Sequence, residues 1–172
     1  KLISRLGKHY ITGKILPIKK EYKKYILNYG QSYGEWAEPD DIHHMTWKDC
    51  AVPHPEVSTA YLYFVLSLFE EISEALNKKN ESSNYKIIKS KIRTSYQELR
   101  KLDEFTLDTD RQSVLVRPLY FDLLNNIEKA FAKNRLLKAL DHYDWRVGTG
   151  FLSTPFILYV LENIDKEYAY KL

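Results

Sequence analysis

The chain has 172 residues, 44% of them hydrophobic, with 26 basic and 23 acidic side chains for a net charge of +3. The length suits one domain or a large piece of one, and the apolar content excludes wholesale disorder. Lysines are scattered rather than clustered, which argues against a nucleic-acid partner. A single cysteine, Cys50, excludes an internal disulfide. No apolar run reaches the roughly 18–20 residues that cross a bilayer, so no membrane partner is expected.

In chain order, the first fifty residues hold four of the six glycines, Gly7, Gly13, Gly30 and Gly34. Residues 10–54 read as mostly irregular, with Tyr25–Tyr29 open to strand or helix. An irregular stretch this long in a compact domain is uncommon unless it is functional. Beyond Pro53 and Pro55 the pattern turns helical. Tyr61, Val65, Leu68, Ile72 and Ala75 recur at spacings of three and four and predict one buried stripe. A polar turn at 77–83 follows, with Ser83 as the expected N-cap of the next helix. Ile88, Ile92, Tyr96, Leu99 and Leu102 form its stripe.

Asp108-Thr109-Asp110 is expected to open a third helix, with carboxylates at the positive end of the dipole. Pro118 inside the following apolar run (Leu115, Leu119, Leu123, Leu124) predicts a kink or a new start. Asn125-Asn126-Ile127-Glu128 reads as a capping box. It leads into a fourth helix with Ile127, Phe131, Leu137 and Leu140 inward. Ser153-Thr154-Pro155 starts a fifth, continued by Phe156, Tyr159, Val160 and Asn163 or Ile164. The domain reading is a single incomplete domain over 1–172, loop-rich over 1–54, with about five to six helices over 55–172. The first residue is Lys1, and the apolar pattern still runs at Tyr168–Leu172. Both features suggest a piece of a longer chain, whose remainder would be a partner.

Three segments can carry chemistry. Tyr33-Gly34-Glu35-Trp36-Ala37-Glu38-Pro39-Asp40-Asp41-Ile42-His43-His44 puts an indole, four carboxylates and two imidazoles into one loop. That mix suits sugars, whose C–H faces stack on aromatic rings and whose hydroxyls need charged acceptors. An acidic surface loop anchored by Trp36 is the plainer alternative. Thr109-Asp110-Arg111-Gln112 either supports a helix start or offers Asp110 and Arg111 to hydroxyls. Trp145–Pro155 holds Gly148 and Gly150 just before a helix, as in a tight connection between packed helices. It lacks the lysine and the spacing of a phosphate loop. His43, His44, His54, Asp40, Asp41 and Cys50 lie close in sequence but show no metal-ligand spacing, so no metal and no cofactor is expected.

Taken in order, the stretches YGEWAEPDD (33–41), PEVSTAYLYF (55–64), TDRQSVLVRPL (109–119) and RVGTGFLSTP (146–155) resemble the catalytic domain of the α-L-rhamnosidase family. The resemblance implies an all-α fold, with helical hairpins forming part of an (α/α)6 barrel. It implies inverting hydrolysis of terminal α-L-rhamnosyl bonds in a rhamnose-containing glycoside. In that chemistry an acid and a base carboxyl stand roughly 6.5–9.5 Å apart. The family's acid lies upstream of the Gly-Glu-Trp loop and its base beyond the Gly-Thr-Gly-Phe helix. No catalytic carboxyl is therefore expected within 1–172, and the piece alone is expected to be inactive. Trp36 matches an aromatic lining the sugar pocket, and Glu35 stands where the family commonly has aspartate. Glu38, His43 and His44 are implied as rim residues, and Asp110, Arg111 and Arg146 as groups at inner helix ends. Thr149 is implied as a support of the pocket backbone. The compartment expected is a bacterial cytoplasm. The alternative function is a helical protein-interaction module without catalytic activity.

Overall fold

The computed structural model describes residues 25–28, 33–49, 52–101 and 106–172. They contain six α-helices: α1 (Pro55–Ala75), α2 (Lys79–Lys101), α3 (Gln112–Tyr120), α4 (Asn126–His142), α5 (Thr154–Glu162) and α6 (Lys166–Lys171). Among the described residues no strand forms. The chain divides into two compact units, one of residues 1–32 and 52–105, the other of residues 33–51 and 106–172. Cys50, Leu102 and the glycines at 7, 13 and 30 lie outside the described residues, as does Tyr29.

The first unit is built on the α1–α2 hairpin. Pro55 occupies the first turn of α1, where its missing N–H is no loss. The turn between the helices closes on Asn77, at φ 55°. The Lys78 N–H reaches back to the Ser73 carbonyl at 2.8 Å and the Asn77 N–H to the Glu74 carbonyl at 2.9 Å. That is the Schellman pattern, with asparagine in the left-handed place more often held by glycine. The next helix starts at once at Lys79, so Ser83 does not cap it but lies within its first turns.

The stripe expected on α1 is also corrected. Val65, Leu68 and Ile72 are exposed, whereas Val57, Thr59, Ala60, Tyr63 and Ser73 are buried. The middle of α1, Ala60–Phe69, is apolar nearly all round, so spacing alone does not select which face meets α2. On α2 the predicted Ile92, Tyr96 and Leu99 are buried, joined by Tyr85, Ser82 and Ser95, whereas Ile88 is only half-buried. At residues 25–28 no helix or strand forms beyond a single 3-10 residue, and the Leu27 N–H donates to Thr59 Oγ1 at 2.9 Å.

The second unit packs α3 against both α4 and α5, with α6 against α5. Helix α3 begins at Gln112 rather than at Asp108–Asp110. Those carboxylates do not cap it. Asp108 and Asp110 pair instead with Arg135 of α4, at 2.9 and 2.6 Å. Pro118 is accommodated without a break, but α3 ends two residues later. Asp122 then takes φ 58°, and the Leu123 N–H bonds to the Pro118 carbonyl at 3.0 Å.

The predicted capping box is present. The Glu128 N–H donates to Asn125 Oδ1 at 3.0 Å, and the Asn125 N–H to Glu128 Oε2 at 3.1 Å. The inward face of α4 is shifted from the expected one. Ile127 and Phe131 are 84% and 47% exposed, while Ala132, Leu136, Ala139 and Leu140 are buried. The two alanines let the helix backbone approach its neighbours closely beside Leu136 and Leu140, and Ile127 and Phe131 fall on the outer face. On α5 the buried residues are Ile157, Val160 and Leu161, and Tyr159 is exposed.

Candidate functional site

All three chemistry-bearing segments belong to the second unit. Residues 33–48 run as turns and irregular chain without helix or strand. Gly34 and Ala37 take φ 58° and 64°, so the loop reverses direction on either side of Glu35-Trp36. The reversal turns Glu35 inward, 2% exposed, and Trp36 outward, 54% exposed. Tyr33 stacks on the indole with ring centroids 5.3 Å apart.

Glu35 meets two groups from elsewhere in the unit. Its carboxylate accepts the Ser153 N–H at 2.8 Å and the Ser153 hydroxyl at 2.7 Å, and it pairs with the Arg117 guanidinium. Arg117 Nη1 also donates to Ser153 Oγ at 3.1 Å. Ser153 thus sits in the N-cap position of α5 but makes no side-chain cap bond. Burial pushes the Glu35 carboxyl above its ordinary value of 4.5, against the opposing pull of Arg117 and the Ser153 hydrogen bonds.

A second carboxylate, Glu38, has its side chain fully buried and grips Arg111 with both oxygens, at 2.6 and 3.4 Å. Asp41 meets Arg146 at 2.5 Å, and that guanidinium lies 5.5 Å from the Tyr143 ring centre. The Arg146 hydrogen bond holds the Asp41 carboxyl below its ordinary value. Asp110 is likewise held low, by Arg135 and then by His142 at 3.0 Å. His44 is exposed and pairs with Asp40 at 3.2 Å, and His43 is half-buried. The loop therefore turns its two glutamates inward, while its aspartates and the Tyr33 and Trp36 rings face outward.

The Arg146–Gly150 strand of chain is fastened to α3. Gln112, fully buried, donates to the Arg146 carbonyl at 3.0 Å and accepts the Gly148 N–H at 2.7 Å. The Gly150 N–H donates to Ser113 Oγ at 3.1 Å, and the Phe151 N–H to the Trp36 carbonyl at 2.6 Å. A Cβ at Gly150 would lie 2.5 Å from that carbonyl oxygen, and one at Gly148 would collide with Ile42 Cδ1. Gly150 is thus required by close approach to backbone, whereas at Gly148 the Ile42 and Gln112 side chains would have to give way. The Thr149 hydroxyl lies 2.8 Å from that of Thr154. Trp36 and the Gly148–Gly150 turn consequently share one surface, where Phe151 is 73% exposed beside Trp36 in the backbone register.

Sequence reasoning picked out Glu35, Glu38, Asp110, Arg111 and Arg146 but not their organising partners, Arg117, Gln112, Ser113 and Ser153. The signal for Arg117 is a lone charge inside the apolar run Val114–Leu119, since arginine is seldom buried unless it is paired. Among the described residues no three of His, Cys, Asp and Glu gather to hold a metal, and no helix is long and apolar enough to cross a membrane.

Residues 10–172 match the model of the bacterial alpha-L-rhamnosidase 6 hairpin glycosidase domain. An alpha-L-rhamnosidase of Formosa agariphila is 26% identical over 182 residues, covering 95% of this chain and 19% of that protein. The crystal structure of Streptomyces avermitilis alpha-L-rhamnosidase complexed with L-rhamnose superposes with a TM-score of 0.67 at 26% identity, over 84% of this chain and 13% of that one. The structure of native Aspergillus terreus alpha-L-rhamnosidase reaches a TM-score of 0.73 at 24% identity over 99% of this chain and 20% of that one, a likeness of fold. The chain thus spans less than a fifth of the length of the curated relatives it matches.

Proposed function

The chain belongs to the bacterial α-L-rhamnosidase six-hairpin glycosidase family, and from that premise we propose that it is part of a glycoside hydrolase cleaving terminal α-L-rhamnosyl bonds. The observation that carries this reading is the exposed indole of Trp36 set against the Gly148–Phe151 turn by a 2.6 Å backbone hydrogen bond. A flat apolar ring framed by ionised groups is what a sugar ring needs: its C–H face stacks, and its hydroxyls find acceptors and donors at the edges. Arg111 and Arg146 keep exposed surface for those hydroxyls, whereas Glu35 and Glu38 act from beneath, each spent on an arginine.

Inverting hydrolysis needs a protonated carboxyl and a water-activating carboxylate on opposite sides of the bond. No role of that kind falls to the carboxylates of this loop. Glu35 and Glu38 are inward and paired with arginines, and the Asp41 carboxylate is engaged by Arg146, as that of Asp110 in the neighbouring segment is by Arg135 and His142. The acid and base belong to the longer polypeptide in which relatives carry this segment, and the rest of that polypeptide is its partner. The test is turnover of aryl α-L-rhamnosides by the full-length protein, with other aryl glycosides alongside. Trp36→Ala should lower kcat/KM by about tenfold or more. Unchanged kinetics would remove Trp36 from the sugar site, and no rhamnoside turnover by the parent protein would overturn the reading.

A further inference from the structure

The buried charges of the second unit meet at a place that fixes two loops at once. Glu35 is covalently next to Trp36, and Ser153 lies two residues beyond Phe151. Arg117 joins the two, contacting both the Glu35 carboxylate and the Ser153 hydroxyl, while Glu35 accepts both the N–H and the O–H of Ser153. The side chains of Glu35 and Arg117 are each 1% exposed, so water cannot replace either partner. We propose that Arg117, acting through Glu35 and Ser153, is a positioning residue that sets Trp36 against the Phe151 turn and thereby tunes how tightly a sugar ring is held there.

Three features of the geometry support the assignment. The Glu35-Trp36 dipeptide lies in a reversal between Gly34 and Ala37, where Ala37 takes the left-handed conformation at φ 64°, and such a reversal needs an anchor at its centre. The anchor is ionic and on the inward side, while the ring it orients is on the outward side. The second loop has no freedom to compensate. Gly150 already abuts the Trp36 carbonyl, and a displacement of Glu35 must move the hydrogen bond that joins Trp36 to Phe151. Arg117 itself reaches no exposed surface, so its influence on a ligand is through these neighbours.

The sugar readouts rest on the rhamnosidase reading above; the spectroscopic one does not. Two variants serve: Ser153→Ala, which removes one hydroxyl, and the doubly neutral Glu35→Gln/Arg117→Met, which removes both charges of the buried pair together. In the full-length protein labelled with 5-fluorotryptophan, the Trp36 resonance, assigned through Trp36→Phe, should shift or broaden in both variants. On aryl α-L-rhamnosides KM should rise by about threefold for Ser153→Ala and about tenfold for the double variant, with kcat changed less. Placed in a Trp36→Ala background, the same changes should leave KM unaltered, because the ring they orient is gone. An unmoved Trp36 resonance in the double variant overturns the positioning role, whatever the protein hydrolyses. A KM effect that persists undiminished without Trp36 overturns it too, by assigning Arg117 a merely structural part. A moved resonance in a protein that turns over no rhamnoside sinks only the functional reading.

Discussion

The α1–α2 hairpin and the turns around Trp36 hold together by opposite means. In the hairpin, apolar side chains such as Tyr63, Ile92 and Leu99 fill the interior, and charges lie mostly outside. Lys89 meets Glu70 and Lys86 meets Glu74, each at 2.7 Å. A buried polar bond there runs from the Tyr96 hydroxyl to Glu56 at 2.6 Å. Around Trp36 the interior is polar: Glu35, Glu38, Gln112, Ser113, Arg117 and Ser153 are all buried. The difference follows from the backbone. Helices satisfy their own N–H and C=O groups, so side chains are free to be apolar. Turns cannot, and buried side chains must supply the missing partners.

The contrast predicts a ranking of damage. Arg117→Met should be the most harmful, because it leaves Glu35 as an uncompensated buried charge, at a cost of about 3–5 kcal/mol in chemical denaturation. Adding Glu35→Gln should recover much of that loss; a double variant no more stable than Arg117→Met would mean that charge pairing is not what holds the turns. Gly150→Ala follows, at about 3 kcal/mol, since its new methyl must displace the Trp36 carbonyl. A thermal midpoint equal to that of the parent would show that the loops yield freely. In the hairpin, Tyr96→Phe should cost about 1.5 kcal/mol, the loss of one buried bond to a carboxylate. A cost matching that of Arg117→Met would erase the distinction between the two regions.

The smallest effect is one of pH, and its sign differs between the regions. Lys86 holds the Glu74 carboxyl below 4.5, so the native state binds fewer protons there than the unfolded chain. The stability that Glu74 contributes is complete above 4.5 and fades as pH falls through the lower folded value. Glu35 is raised above 4.5 by burial, so its contribution falls as pH climbs from 4.5 through the higher folded value. Denaturation curves of Glu74→Gln and Glu35→Gln, each compared with the parent between pH 3 and 7, should therefore slope in opposite directions. Parallel curves would show that the two carboxylates share one kind of environment.

Features governed by neighbours in sequence were legible without coordinates. The Asn125–Glu128 capping box spans four residues, and the α2 stripe Ile92, Tyr96, Leu99 repeats with the helix. The family resemblance rested on local strings such as GEWAEPDD and GTGFLSTP; Gly34 of the first takes positive φ, and Gly150 of the second abuts the Trp36 carbonyl. Where a choice depended on a distant partner, local reading faltered. Asp108 and Asp110 looked like helix openers, yet Arg135, 27 and 25 residues along the chain, claims them. Glu38 looked like a rim residue, yet Arg111 draws it fully inside.

The amino-acid order by itself determined that residues 55–172 are largely helical and which loops carry rings and charges, because hydrogen-bonding and packing preferences act over a few residues. Which face of α1 and α4 turns inward, and which arginine each carboxylate meets, was decided only by the tertiary structure. Those outcomes depend on groups separated by 73 residues in the Glu38–Arg111 pair and 82 in the Glu35–Arg117 pair. An ion leaves water only for a partner already in place, and chain folding is what puts it there.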